Sequence, residues 1–209
     1  MKLNLHSPLM EFINLTVQFI MLNLVFLICC IPIITIGPAI TALYRVILRE
    51  ERGEGGYLFS KFFQHFKETF LTSFCFFFAG VFIILLLLFN LFFWNAFGGI
   101  LSSIILVIIC LLLLCVICSF LYIFPILARF QNSFIQTIKN SFFIAFTNIK
   151  RTFILLLINL GVTALVFIYH PFVIFMLFVG FTFITYCNSY IINPIFQKLI
   201  EAETESSTK

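Results

Sequence analysis

Residues 23–49 read NLVFLICCIPIITIGPAITALYRVILR. The stretch starts as an apolar span beginning at Asn23, is interrupted at Pro32 and again at Gly37-Pro38, and restarts as a short helix bearing arginines. Pro32 has no N–H and crowds the carbonyl of Ile28, so the first helix is expected to kink or loosen there. Gly37 permits a non-helical backbone, and Pro38 suits the first position of a new helix. That helix is expected to run to about Arg49, with Arg45, Arg49 and Arg52 on one face at i, i+4 and i+7. Such a stripe suits lipid headgroups or, in a sharper reading, an anion-binding row at a cytoplasmic vestibule.

The rest of the chain supplies partners for this broken element. Hydrophobic residues make up 63% of its 209 residues and charged residues 10%, with no Asp. Soluble domains carry about 25% charged residues, so water is not this chain's main solvent. The 32 phenylalanines fit a codon bias better than an aromatic recognition box. The net charge of +4 is scattered over loops and gives no nucleic-acid signature. Seven cysteines lie within or near the ends of apolar runs, where Cys acts as a small hydrophobe. Cys115 and Cys118 form a CxxC inside a lipid-length run, with no second pair to complete a metal site.

Three stretches lack Asp, Glu, Lys and Arg: 12–44, 69–128 and 152–197. At about 20 apolar residues per crossing, they predict five spans at 12–36, 71–94, 100–127, 152–170 and 171–193. Turns are expected at Asn95–Gly99 and Tyr169-His170-Pro171. Backbone groups in lipid must be satisfied within the segment, so the fold class is all-α, an integral membrane helical bundle. One membrane domain is expected over 1–197. Pro194 should break the last span into a short polar helix, and 198–209 should form a polar tail that is disordered over 201–209.

Eleven of the twelve basic residues fall on one side of these five spans, with Lys2 alone on the other. The positive-inside rule then places the N-terminus outside and the C-terminus in the cytoplasm. No cleaved signal peptide is expected. Glu50-Glu51-Arg52-Gly53-Glu54-Gly55-Gly56 is a polar loop without the Lys-Ser/Thr ending of a phosphate-binding loop. Phe59, Phe62, Phe63, Phe66 and Phe70 then mark one face of an amphipathic helix along the interface. His65, on the opposite face, is expected to be solvated. Phe142-Phe143-x-x-Phe146 echoes Phe62-Phe63-x-x-Phe66 eighty residues later, and Pro125 echoes Pro32. A parallel repeat of 12–94 and 100–170, with a fifth span added, is therefore expected.

Asn23, Pro32, Ile33, Thr35, Ile36, Gly37, Pro38, Ala39, Tyr44, Arg45, Gly53, Phe62, Phe63, Phe66 and Lys67 together form a pattern. It resembles the YesL-like family of bacterial multi-pass membrane proteins, over about the first seventy residues. The resemblance implies a bacterial cell-membrane location and an accessory role in carbohydrate import. It implies no chemistry, since the family's domain is one of unknown function.

No residue set spells out a reaction: there is no paired carboxylate at membrane depth, no HExxH and no His/Cys ligand cluster. His6, His65 and His170 belong to separate segments. No catalytic residue, cofactor or metal is expected. The polar groups at membrane depth are uncharged, chiefly Asn23, Asn159 and Thr163, with Thr182 and Thr185. Asn23 and Asn159 have similar expected depths, which suits an interhelical hydrogen bond or the lining of a cavity for a neutral polyol. Two functions follow. One is a non-enzymatic accessory or scaffold protein, with membrane lipids and a sugar ABC-transporter permease as partners. The other is an autonomous small transporter or channel for a neutral solute, which suits a homo-oligomer.

Overall fold

The computed structural model describes residues 8–53, 58–130 and 132–207, with side chains from Ile13 to Glu201. Lys2, His6, Lys209 and the Glu54-Gly55-Gly56 part of the polar loop lie outside the described residues. The described chain is helical without strands. Its elements are α1 (Pro8–Cys30), a 3-10 turn (Ile33–Thr35), α2 (Ile36–Glu50), α3 (Leu58–Glu68), α4 (Phe70–Phe97), α5 (Ile100–Arg129), α6 (Phe134–Thr147), α7 (Ile149–Ile168), α8 (Pro171–Phe175), a π-helical turn (Met176–Gly180) and α9 (Phe181–Ser207).

Five segments are long and apolar enough to cross a membrane: α1, α4, α5, α7 and the run from Pro171. Their outer faces are bare hydrocarbon. On α4 alone Phe82, Leu85, Phe89 and Phe92 are each at least 60% exposed, far more apolar surface than a water-soluble monomer leaves open. The α4–α5 hairpin turns at Gly98 and Gly99, whose φ values of +64° and +92° lie where only glycine sits without strain.

The direction of α1 differs from the expected topology. Phe26 meets Phe181, and Phe19 meets Tyr186, at ring-centroid distances of 5.4 and 5.7 Å. As α1 descends in number α9 ascends, so the two helices are antiparallel. Tyr44 meets Asn188, and Leu48 shares a core with Ile192 and Ile195, so α2 runs parallel to α9 and folds back along α1. The start of α1 therefore lies on the same face as the ends of α2, α5 and α9 and the starts of α4 and α7. The expectation that the N-terminal span begins on the opposite face is corrected. The cause is the break after Cys30, which turns the predicted span 12–36 into one arm of a hairpin.

The second arm, α2, is the centre of the fold. Its fifteen residues span about 22 Å, too short for a hydrocarbon core of about 30 Å. Ten of them are buried, and α2 packs against α1, α3, α4, α5 and α9. Lipid tails are as apolar as side chains, so helix association here rests on close packing and hydrogen bonds. Gly37, Ala39, Thr41 and Ala42 supply the close approach: a Cβ on Gly37 would sit 2.6 Å from both Phe77 Cβ and Ser73 O.

Three other expectations are corrected. Pro125 and Pro194 lie inside continuous helices, because each removes only one ladder bond and membrane helices tolerate that where neighbours cover the site. The predicted tail is helical through Ser207. The spans of the proposed repeat do not correspond one to one, since α1 leaves the basic face whereas α5 arrives at it. The two Phe-Phe-x-x-Phe segments also differ in use: Phe62 is fully buried, whereas Phe142 is 50% exposed.

Candidate functional site

The polar side chains gather at two places. The first lies at membrane depth. Asn23 is fully buried and faces the π turn, where one extra residue breaks the regular helical ladder. Its Nδ2 donates to the carbonyls of Met176 (3.1 Å) and Leu177 (2.7 Å), and its Oδ1 accepts from the Thr182 N–H (3.1 Å). A carboxamide is both donor and acceptor, so one side chain replaces the bonds that the turn leaves open.

Asn159 is elsewhere. It is half-buried and pairs with Asn188 at 3.4 and 3.5 Å, and Asn188 donates to the Tyr44 hydroxyl at 3.3 Å. The expected Asn23–Asn159 pair is therefore not formed, since the two residues meet the last helical run at different heights, Asn23 at Met176, Leu177 and Thr182 and Asn159 at Asn188. Thr163 is exposed and donates to its own helix at Asn159 O. Tyr122 and Thr152 make a further α5–α7 link at 2.9 Å.

The motif residues have separate structural roles. Pro32 is extended and starts the 3-10 turn. The Thr35 hydroxyl bonds back to Pro32 O at 2.7 Å and also reaches Cys29 O, capping the end of α1. Gly37 and Pro38 are buried in α2. Gly37 has an ordinary helical φ, so its role is close packing rather than backbone freedom.

The second place is the basic face, where α2 ends. Arg45 pairs with Glu68 at 3.3 Å, Glu68 contacts His65 Nδ1 at 3.1 Å, and Arg49 approaches His65 Nε2 at 3.5 Å. His65 is 3% exposed, against the expected solvated position, because α3 packs this side chain toward α2. Burial lowers its pKa; Glu68 pulls the other way, and Arg45 and Arg49 add to the lowering. Glu68 is held below the usual carboxylate range, first by its bond to His65.

Arg45, Arg49, Arg52 and Arg129 line one cavity of about 260 Å3 between α2 and α5, floored by Leu48 and Ala128. A neighbouring cavity of about 360 Å3 shares Arg45 and Arg129 and reaches Glu68, Thr69 and Asn132. The sequence carried the α2 arginines as a stripe, but Arg129 joins them only through folding. Beside this region Glu51 has two buried oxygens without a partner at hydrogen-bond distance. Burial pushes its carboxyl up to about 7, offset in part by the nearby Asn193 side chain.

Residues 19–91 match a family described as "Protein of unknown function, DUF624". The matched segment runs from the buried half of α1 through the break, α2 and α3 into α4, and so contains the central hairpin. No curated protein and no solved structure matches the chain.

Proposed function

We propose that the chain is a YesL-like multi-pass protein of a bacterial cell membrane that acts by binding rather than catalysis, as an accessory or scaffold subunit for carbohydrate import. The observation carrying this reading is how the polar groups at membrane depth are used. Asn23, Tyr44, Asn188, Tyr122 and Thr152 hold helices to one another, which is a structural use of such residues. Meanwhile Phe142, Phe143 and Phe146 on α6 stand exposed beside the basic face, where a membrane partner or the lipid interface meets them. The resemblance around the central hairpin supplies the link to sugar import. The positive-inside rule puts the basic face in the cytoplasm, and with it both the start of α1 and the end of α9. The test is crosslinking in native membranes, mild solubilisation and mass spectrometry. Stoichiometric recovery of a sugar-importer permease is the expected result; recovery of this protein alone or as a homo-oligomer would refute the accessory role.

A second reading, an autonomous carrier for a neutral solute, is favoured by one feature. A cavity of about 300 Å3 beside Asn159 is lined by Tyr44, Ile40, Ile84, Phe120 and Phe124. Solute flux in proteoliposomes containing only this protein would establish it.

A further inference from the structure

We propose that the arginine cavity between α2 and α5 is a binding site for a phosphate group. Four guanidinium side chains, Arg45 and Arg49 on α2, Arg52 in the turn that follows it and Arg129 on α5, line one cavity of about 260 Å3. The cavity has an apolar floor at Leu48 and Ala128, and Ala128 is buried. Arginine's planar fork matches phosphate oxygens bidentately, and its charge interacts more strongly beside a low-dielectric wall.

Helix dipoles explain part of this arrangement. The negative C-terminal end of a helix favours a nearby cation, which accounts for one arginine at the end of α2 and one at the end of α5. The effect fades within the last turn, so it does not reach Arg45. Nor does it supply an acceptor to Arg129, whose Nη1 is buried without any hydrogen-bond partner. Within the cavity the lining side chains are arginine, leucine and alanine, so no carboxylate lines it to neutralise the guanidinium groups there. Glu68 lies on the wall of the adjoining cavity and is engaged by Arg45 and His65. An anionic oxygen entering from the open side would meet the guanidinium groups of Arg45 and Arg129 that line the cavity.

Phosphate can come from the headgroup of an anionic phospholipid or from a soluble phosphate-bearing solute. The cavity lies at the level where α4 starts and α5 ends, so both sources have access. The geometry commits to the shared group, and the experiment separates the sources.

The test uses the full-length protein in a neutral detergent, with thermal unfolding as the readout. One arm titrates phosphatidylglycerol against phosphatidylcholine in mixed micelles. The other titrates inorganic phosphate against chloride at constant ionic strength. Wild type is expected to be stabilised in at least one arm. Arg129→Gln should weaken the response at least tenfold, and Arg129→Lys should keep part of it. Lys139→Gln, an exposed lysine on α6, should leave it unchanged. A response to the lipid alone assigns a headgroup, and a response to inorganic phosphate assigns a soluble ligand. No response in either arm overturns the proposal, as does an equal loss in Lys139→Gln and Arg129→Gln. Arg129→Gln breaks no ion pair with Glu68, so its folding is the fair comparison; Arg45→Gln, which also removes the Arg45–Glu68 pair, serves as a second variant with the same expected loss.

Discussion

Replacing Asn23 by alanine tests the join between the first and last helices. The substitution removes three hydrogen bonds, two to Met176 and Leu177 carbonyls and one from the Thr182 N–H. It leaves those backbone groups facing a fully buried site. Interhelical polar contacts in membranes are worth about 0.6–1.7 kcal/mol each, so the loss amounts to about 2–5 kcal/mol. The helix cannot heal itself cheaply. Closing the π turn to regular α geometry would rotate everything after Gly180 by about 100°, drawing Asn188 away from Tyr44 and Phe196 away from Phe130. For a chain of this size each kcal/mol lowers the melting temperature by about 2–4 °C, so Asn23→Ala should melt about 4–20 °C below wild type. A thiol-reactive dye in detergent reads the transition, because Cys29 and Cys30 at the end of α1 are free and half-buried. Thr163→Ala is the control: its hydroxyl is exposed and bonds only within its own helix. If Asn23→Ala melts within about 2 °C of wild type, Asn23 does not hold the π turn.

Gly37→Leu should destabilise by at least about 1–3 kcal/mol through overpacking against Ser73 and Phe77, whereas Gly161→Ala, where a Cβ meets nothing within 4 Å, should be neutral or stabilising; equal melting of the two variants would contradict the close α2–α4 packing. Glu51 should make stability fall as pH rises. Its folded pKa of about 7 exceeds the ordinary 4.5, so between those values the folded state binds more protons than the unfolded state. Stability from the protonated carboxyl is full below about 4.5 and lost as pH climbs through 7. Buried His65 has the opposite sign: its folded pKa is lowered, so stability is lost as pH falls below 6.5. Glu51→Gln should therefore gain in melting temperature over wild type at pH 8 and gain little at pH 5; a gain independent of pH would show that the carboxyl does not titrate as described.

How much of this was legible depends on which forces the sequence displays. The crossings were readable because charge is excluded from hydrocarbon, and the three charge-free stretches held all five, although the first ends at Cys30 rather than 36 and the last runs on to Glu201 rather than 193. The break at Pro32 was readable because proline has no N–H and crowds the preceding turn, whereas Gly37 and Pro38, expected to form the restart, lie inside α2, which begins at Ile36. Pro125 and Pro194 share that chemistry, yet a proline alone does not stop a helix that its neighbours cover. The role of α2 was masked by its arginines. They occupy the end of a helix whose other faces carry Gly37, Ala39, Thr41 and Ala42, and that run of small residues was the available signal for close packing. Rotation about a helix axis is weakly encoded in uniformly apolar sequence. Asn23 and Asn159 were therefore identified as membrane-depth polar groups but set against each other, whereas they bond at the π turn and at Asn188. For the same reason His65 was placed on the wrong side of α3, and Arg129 was not joined to the α2 stripe.

The hairpin also dictates an order of assembly. A ribosome delivers α1 and α2 first, yet α2 is too short to cross a bilayer and most of its buried surface faces helices made later. The π turn that receives Asn23 comes from the final quarter of the chain. Until that quarter is synthesised, the first hairpin has no fixed seat, and its arginine-bearing arm is held only by what has already emerged. The first helix made is thus the last one locked, so C-terminal truncation within α9 should damage the N-terminal hairpin as much as the end that is cut.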